Sequence, residues 1–517
     1  MLIASLKPGH DGSLAAVADG RLLFCYEAEK DSHPRYDQLN VDTWMAMFRK
    51  LDRLPDVVCH SGWMKGFHSD DISQGAGYFG TRADSIQVSR GDFLGTGATY
   101  FSSSHERSHI WCAYGMSPFP QGQPVHCLVY EGTIGRFYSI DERLNITEHP
   151  IVLSEPGARY SFLFSVADPS QPARGGRFRL DTAGKLMALT AYGAPGPPDP
   201  QEQDVIDWLL GVENLSTAHD KSELSDTPYF NAGVESQLFK NLARKASDAI
   251  IGRYINYAER FRTDQRPLII SGGCGLNCDW NRLWAETGYF ESVFVPPVAN
   301  DTGSAIGTAV DAQRELTGSA KITWDVYSGL EPRSHGDNRL NWVPADVHAI
   351  AKDIHQGKIV AVMRGACEIG PRALGGRSLL AAPFDPAMTR RLNAIKNRED
   401  YRPIAPVVLE HRAAEFFDLS EPSPYMLFFA RVLDERLRAV THVDGSARPQ
   451  TVNRAQNAFL SDLLEAFDCL TGVPVLCNTS LNYRNRGFLN SEVDLIDYCL
   501  ASGVDGIIYE NRYASLR

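Results

Sequence analysis

The sequence predicts an α/β protein of at least two domains, the first built on a duplicated core. Three observations carry that prediction. The 517 residues exceed what one hydrophobic core usually serves. A strand, a glycine turn and a further strand recur in the same plan at residues 1–27 and 125–140. Two short apolar runs, at residues 267–270 and 294–298, each enter a glycine loop that precedes a helical stretch.

Taken in order, residues 1–6, 9–18 and 21–27 read as strand, turn, strand, turn, strand. Lys7, His10, Asp11 and Ser13 lie around the first turn, where loops present groups to a nucleotide or metal. Residues 44–51 and 103–114 have helical spacing, and 66–100 are glycine-rich and polar, read as a loop or lid. Its aromatics Phe67, Tyr78, Phe79 and Phe93 are candidates either for an acceptor pocket or for core. Residues 236–261 repeat apolar side chains at helical spacing. The loop Ser-Gly-Gly-Cys-Gly-Leu-Asn at 271–277, and the one containing Asp301, have the plan of an anion cradle at a helix start. Each alone is equally well a tight turn needing positive φ. Residues 306–316 are helical, 329–341 read as a linker, and an apolar run at 359–363 opens a new α/β unit. The expected domains are therefore 1–340 and 341–517.

Composition excludes several classes. With 43% hydrophobic and 22% charged residues, wholesale disorder is excluded. A net charge of -12 disfavours nonspecific nucleic-acid or membrane partners. No leader and no bilayer-length apolar run are read, so a cytoplasmic enzyme is expected. The ten cysteines are scattered and read as reduced core residues; Cys274 and Cys278 form the only close pair.

Against the acidic background, residues 368–378 and 396–402 concentrate Arg372, Arg377, Lys396, Arg398 and Arg402 beside glycines and prolines. Guanidinium forks and an ammonium suit a small, crowded anion. The other constellation is His105-Glu106-Arg107-Ser108-His109. On a helix it places two imidazoles one turn apart, within reach of one metal ion. It also reads literally as HExxH, in which Glu106 would be the general base of a metalloprotease. Asp301 and Glu131, each on a glycine turn, add oxygen donors, a set that suits iron, zinc or manganese.

Residues 9–13, 105–109, 183–187, 271–277, 301–307, 368–378, 396–406, 444–448 and 478–482 together resemble the O-carbamoyltransferase family of nodulation, aminoglycoside and cephem carbamoyltransferases, nearest its cephem branch, over almost the whole chain. The resemblance implies an N-terminal domain of the actin and sugar-kinase type, like the tRNA threonylcarbamoyl-transfer ATPase, and a smaller carbamoyladenylate-forming domain. It implies ATP, carbamoyl phosphate and a small-molecule alcohol, foremost a 3-hydroxymethylcephem, as reactants. A divalent metal (iron, zinc or manganese) would sit on His105, His109 and Asp301, with Glu131 as a fourth ligand, and magnesium would accompany ATP. His10 is the expected base, with Asp11 either orienting it or contacting the nucleotide; Arg372 and Lys396 join them as catalytic candidates. Lys185, Gly272, Gly273 and Asn277 are expected at the adenylate, and Arg364, Gly370, Arg377, Arg398, Arg402, Arg448, Asn478 and Ser480 at the phosphates. Lys185 is equally well a solvated helix cation. Glu131 departs from the family's usual aspartate, and residues 26–35 depart from its acidic, arginine-rich pattern. A homodimer is left open. An ATP-dependent small-molecule kinase and a non-catalytic nucleotide-binding module remain as alternatives, with a metalloprotease a distant last.

Overall fold

A computed structural model describes residues 1–64, 73–89, 95–175 and 179–516. The chain falls into two compact units. One comprises Met1–Pro8, Ala16–Arg21 and Leu54–Thr323; the other comprises Gly9–Ala15, Leu22–Arg53 and Trp324–Arg517.

The first unit is α/β and repeats one plan. Leu2–Lys7, Val57–Ser61 and Thr99–Ser103 run parallel in that order, with Ile86–Ser89 antiparallel at the edge. In the second copy Val125–Tyr130, Leu268–Ser271 and Val293–Phe294 run parallel, and the meander Gly135–Ile140 and Ile146–Ile151 continues the sheet beyond Val125–Tyr130. Each copy leads into a helix, His105–Met116 and Ser304–Thr317 respectively, and these two helices pack against each other. Glycine makes that approach possible: a Cβ on Gly307 would lie 1.8 Å from the Ser108 carbonyl oxygen. A buried bidentate pair, Arg107 to Asp311 at 2.8 Å on both arms, joins the same two helices. The duplicated α/β core expected from the glycine turns is thus present.

The second unit is built on an eight-stranded mixed sheet. Its strand Val360–Met363 is buried throughout, and the period-two rule shows why. Val360 and Val362 enter a core beneath the helices Val347–His355 and Ala458–Thr471, whereas Ala361 and Met363 enter the core beneath Pro386–Ile395 and Glu492–Ser502.

The stretch read as loop or lid is more regular than expected. Its described parts contain Ser73–Gln74, paired with Trp63–Met64, and the edge strand Ile86–Ser89. Phe67 and Phe93 lie outside the described residues; Tyr78 is buried and Phe79 exposed. Nine of the ten cysteines are buried and none is bonded to another, which fits core residues. Among the described residues no helix is long and apolar enough to cross a membrane.

Candidate functional site: a histidine and aspartate cluster and a buried cation cluster

Every residue of the helix His105–Met116 is buried. Burying polar groups on such a helix is costly unless they are paired, and the partners of His105, Glu106, Arg107 and His109 separate their roles. Ser104 caps the first turn by accepting the Arg107 N–H at 3.1 Å. One helical turn then sets His105 Nε2 and His109 Nε2 3.1 Å apart. Asp301, at the entry to the partner helix, brings Oδ1 to 3.6 Å from His105 Nε2 and 3.4 Å from His109 Nε2. Metal–ligand bonds of about 2.0–2.2 Å place neighbouring donor atoms roughly 3.0–3.5 Å apart. The three side chains therefore converge as the edges of one coordination polyhedron, and they form the only group of this kind among the described residues.

The surroundings suit that use. With Nε2 as the ligating atom, His109 Nδ1 carries the proton and donates to Ser271 Oγ at 3.0 Å, which fixes the tautomer. Lys7 Nζ lies 3.1 Å from Asp301 Oδ2 and 3.8 Å over the Trp63 ring. Tyr78 stacks on His105 at 4.3 Å. Glu131 lies outside the converging three: Oε1 accepts from the Tyr78 hydroxyl at 3.1 Å and from Ile134 N at 2.7 Å. Burial and then Asp301 push its carboxyl upward, against the pull of His109. Glu106 points elsewhere, accepting from the Tyr138 hydroxyl and from Gly80 N at 2.6 Å. A base for water attack needs an open lone pair at the metal, so the protease reading of HExxH loses its catalytic group.

Gly272 has φ of +93°, and a Cβ there would meet the Tyr130 carbonyl oxygen at 2.3 Å, so the loop requires glycine. Beside Gly273 a Cβ would meet nothing within 4 Å. Asn277 caps the helix Cys278–Glu286 through Oδ1. Lys185 pairs with Asp181 at 3.2 Å. These positions belong to the first unit; His10 and Asp11 belong to the second. There His10 Nδ1 and Asp11 Oδ2 are 2.9 Å apart.

In the second unit the strands Arg377–Ala381 and Val475–Ser480 pair antiparallel, with Ser378 opposite Ser480 and Leu380 opposite Asn478. Lys396 Nζ reaches Ser480 Oγ at 3.0 Å and also donates to Asn482 Oδ1. Arg398 Nε donates to Asn393 Oδ1 at 2.6 Å. Burial, then Arg398, Arg402 and Arg35, hold the Lys396 ammonium well below the usual lysine range. Burial, then Arg402 and Arg448, push Arg398 down to about 9, and Arg402 is lowered by burial against the opposing effect of Glu399. Arg402 is 3.9 Å from Glu399. Arg448 Nε and Asn478 Oδ1 are buried with no hydrogen-bond partner among the described residues. Buried like charges beside unsatisfied polar atoms need an anion of matching size.

Two of the expected phosphate contacts have other work in this geometry. Arg377 is fully buried and donates to the carbonyls of Arg364, Gly365 and Gly376 and to Asn490 Oδ1, bracing the glycine loop. Arg364 donates to the Glu510 carbonyl and to Asn511 Oδ1, and stacks over Phe459. Gly370, at φ +88°, is held at both ends: its N–H donates to Glu27 Oε1 and its carbonyl accepts from Lys30 Nζ, each at 2.7 Å. Arg372 follows it by two positions. Glu27, Lys30 and Arg35 were not singled out from the sequence; the signal was the charge density of residues 26–35.

Two family models match the chain, Carbamoyltransferase N-terminus over residues 96–310 and Carbamoyltransferase C-terminus over 351–515. It is 46% identical over 513 residues to a 3'-hydroxymethylcephem-O-carbamoyltransferase of Amycolatopsis lactamdurans, covering 98% of each chain. Identity to the protein of that name from Streptomyces clavuligerus is also 46%, over 96% of each. Nodulation protein U of Sinorhizobium fredii is 33% identical over the full length of both. At these levels of identity and coverage, the chain belongs to the carbamoyltransferase family.

Proposed function

We propose that this enzyme moves the carbamoyl group of carbamoyl phosphate, through carbamoyladenylate and at the expense of ATP, to the hydroxyl of a 3-hydroxymethylcephem. The observation that carries the reading is the buried cluster of Lys396, Arg398, Arg402 and Arg448, whose charges repel one another until an anion enters. The names of the two 46% identical relatives support the acceptor.

In the first half-reaction, placed in the domain 341–517, carbamoyl phosphate gives up its phosphoryl group to water as inorganic phosphate. The carbamate oxygen then attacks the α-phosphorus of ATP, and pyrophosphate leaves. Arg372, Lys396, Arg398, Arg402 and Arg448 bind the phosphate oxygens, and the charge they supply matches the charge that develops on the departing groups. Asn478 and Ser480 accept or donate beside them, Gly370 exposes its backbone, and Arg377 and Arg364 brace the loops.

In the second half-reaction, placed in the domain 1–340, the acceptor oxygen attacks the carbamoyl carbon and AMP leaves. His10, oriented by Asp11, takes the hydroxyl proton. Gly272 and Gly273 bring backbone close to the adenylate, Asn277 holds the following helix, and Lys185 contacts phosphate. A divalent iron, zinc or manganese ion on His105, His109 and Asp301 would polarise a phosphate or carbamoyl oxygen, with magnesium accompanying ATP. Glu131 tethers Tyr78 against His105.

The test is product analysis with ATP and carbamoyl phosphate, without and then with a 3-hydroxymethylcephem. Pyrophosphate, AMP and an acceptor heavier by one carbamoyl group are expected. ADP with a phosphorylated acceptor would replace the reading with a kinase.

A further inference from the structure

A further cluster of titratable side chains lies in the first unit, on the same sheet as Ser271 but at its other end. The strand Val125–Tyr130 pairs with Gly135–Ile140 so that His126 stands opposite Ser139. On its other side Leu268 stands opposite His126 and Ser271 opposite Val129. Ser271 is the partner of His109, so the step from His126 to Val129, about 10 Å of strand, separates this cluster from the level of His105, His109 and Asp301. Four side chains there form one continuous run of hydrogen bonds. His126 Nε2 lies 3.1 Å and 3.2 Å from the two carboxylate oxygens of Asp264. His126 Nδ1 lies 3.0 Å from Ser139 Oγ, which lies in turn 2.8 Å from His149 Nε2.

A carboxylate can only accept, and this fixes the order of the protons. His126 carries its proton on Nε2 and donates it to Asp264, which leaves Nδ1 as an acceptor. Ser139 therefore donates its hydroxyl hydrogen to His126 Nδ1 and accepts from His149 Nε2–H. An acid, an imidazole and a hydroxyl joined in that order are the parts of an activated serine. The base is neutral at ordinary pH, because burial, against the opposing pull of Asp264, holds the His126 imidazolium below the usual histidine range. Phe261 packs against the His126 ring with centroids 4.1 Å apart, and Arg266 Nε lies 3.2 Å from Asp264 Oδ2. His126 is buried whereas Ser139 and His149 are half-buried, so the serine residue reaches solvent while its base is shielded.

We propose that Ser139 is a nucleophile, activated by His126 and Asp264, that takes the acyl group of small activated esters. Ser139 Oγ attacks the ester carbonyl carbon, and its proton passes to His126 Nδ1, giving an imidazolium paired with Asp264. The tetrahedral intermediate expels the alcohol oxygen, which recovers that proton, and an acyl ester of Ser139 remains. Water then repeats the attack through the same base, releasing the carboxylic acid and the free serine. His149 Nε2–H, 2.8 Å from Ser139 Oγ, is a side-chain donor beside the developing oxyanion. This hydrolysis is separate from carbamoyl transfer and uses neither the cluster of His105, His109 and Asp301 nor the buried cations.

The test is labelling of the full-length chain with a fluorophosphonate, which phosphonylates activated serines with loss of fluoride, followed by peptide mapping. An adduct on Ser139 is expected, together with turnover of p-nitrophenyl acetate, and heat-denatured chain should not be labelled. Ser139→Ala should remove the adduct and reduce ester turnover to background. Asp264→Asn removes the charge that stabilises the imidazolium and should slow labelling about 10²-fold or more. His126→Gln should do the same. Its position is buried, so Asp264→Asn, at a side chain 38% exposed, carries the test if that variant does not fold. No adduct at Ser139, equal labelling of native and denatured chain, or undiminished labelling in Asp264→Asn overturns the proposal. Labelling is read without carbamoyl phosphate or ATP, so its result does not depend on the reading of the cation cluster.

Discussion

The two clusters solve opposite electrostatic problems. In the first unit, two imidazoles and an aspartate face one another, Lys7 pairs with that aspartate, and each formal charge has an opposite within about a hydrogen-bond length. In the second unit, Lys396, Arg398, Arg402 and Arg448 are gathered with Glu399 as the near acid, 3.9 Å from Arg402. A mixed cluster can persist with its proton inventory rearranged. A cluster of one sign stores repulsion that only a bound anion relieves, so binding energy and protonation are coupled there.

Lys396→Met tests the one-sign cluster most directly. Removing the ammonium should lower pyrophosphate formation about 10²–10³-fold, the usual scale for one lost charge-stabilising donor. Circular dichroism should show the protein still folded, because one of several repelling charges is gone. Retained pyrophosphate formation would show that the cluster is structural. His105→Ala attacks the other side. Metal bound to the purified chain should fall to trace levels by plasma mass spectrometry, and transfer to the acceptor should drop at least about 100-fold. Pyrophosphate release should survive, and its loss together with transfer would erase the division of labour.

The coupling also has a pH signature. The depressed Lys396 ammonium loses its proton below the ordinary lysine value, and a bound anion raises that affinity again. Carbamoyl phosphate affinity should therefore be flat at lower pH and weaken by up to about tenfold per unit once pH passes the ligand-free value. Calorimetry in buffers of different ionisation enthalpy would show proton uptake on binding in that window. Across the same window the unfolded chain binds more protons than the folded one, so the stability of the ligand-free protein rises with pH. The smallest expected effect is Ser271→Ala. It removes the partner of His109 Nδ1 and should weaken metal affinity by about tenfold without changing the phosphate site.

Local patterns in the sequence explain what was legible. The glycine turns and short apolar runs mark the repeated strands, because turn chemistry and side-chain period act over a few residues. His105 and His109 are readable for the same reason, being one helical turn apart. Asp301 was within reach only as an acid on a glycine turn. Arg377 shows the limit of composition. It has the same fork as its neighbours, yet its donors end on backbone carbonyls and Asn490, a destination set by the loop's path. Lys30 and Glu27 act on Gly370 across more than 300 positions of chain, a separation over which no periodic pattern carries information.

That double hold on Gly370 has a consequence for synthesis on the ribosome. Glu27 and Lys30 emerge first, while the residue they grip is 340 positions beyond Lys30. At about 5–20 residues per second, the gap lasts on the order of tens of seconds. Throughout it, an acid and an amine destined for burial must remain in water, and the second unit cannot close around them until nearly the whole chain has been made.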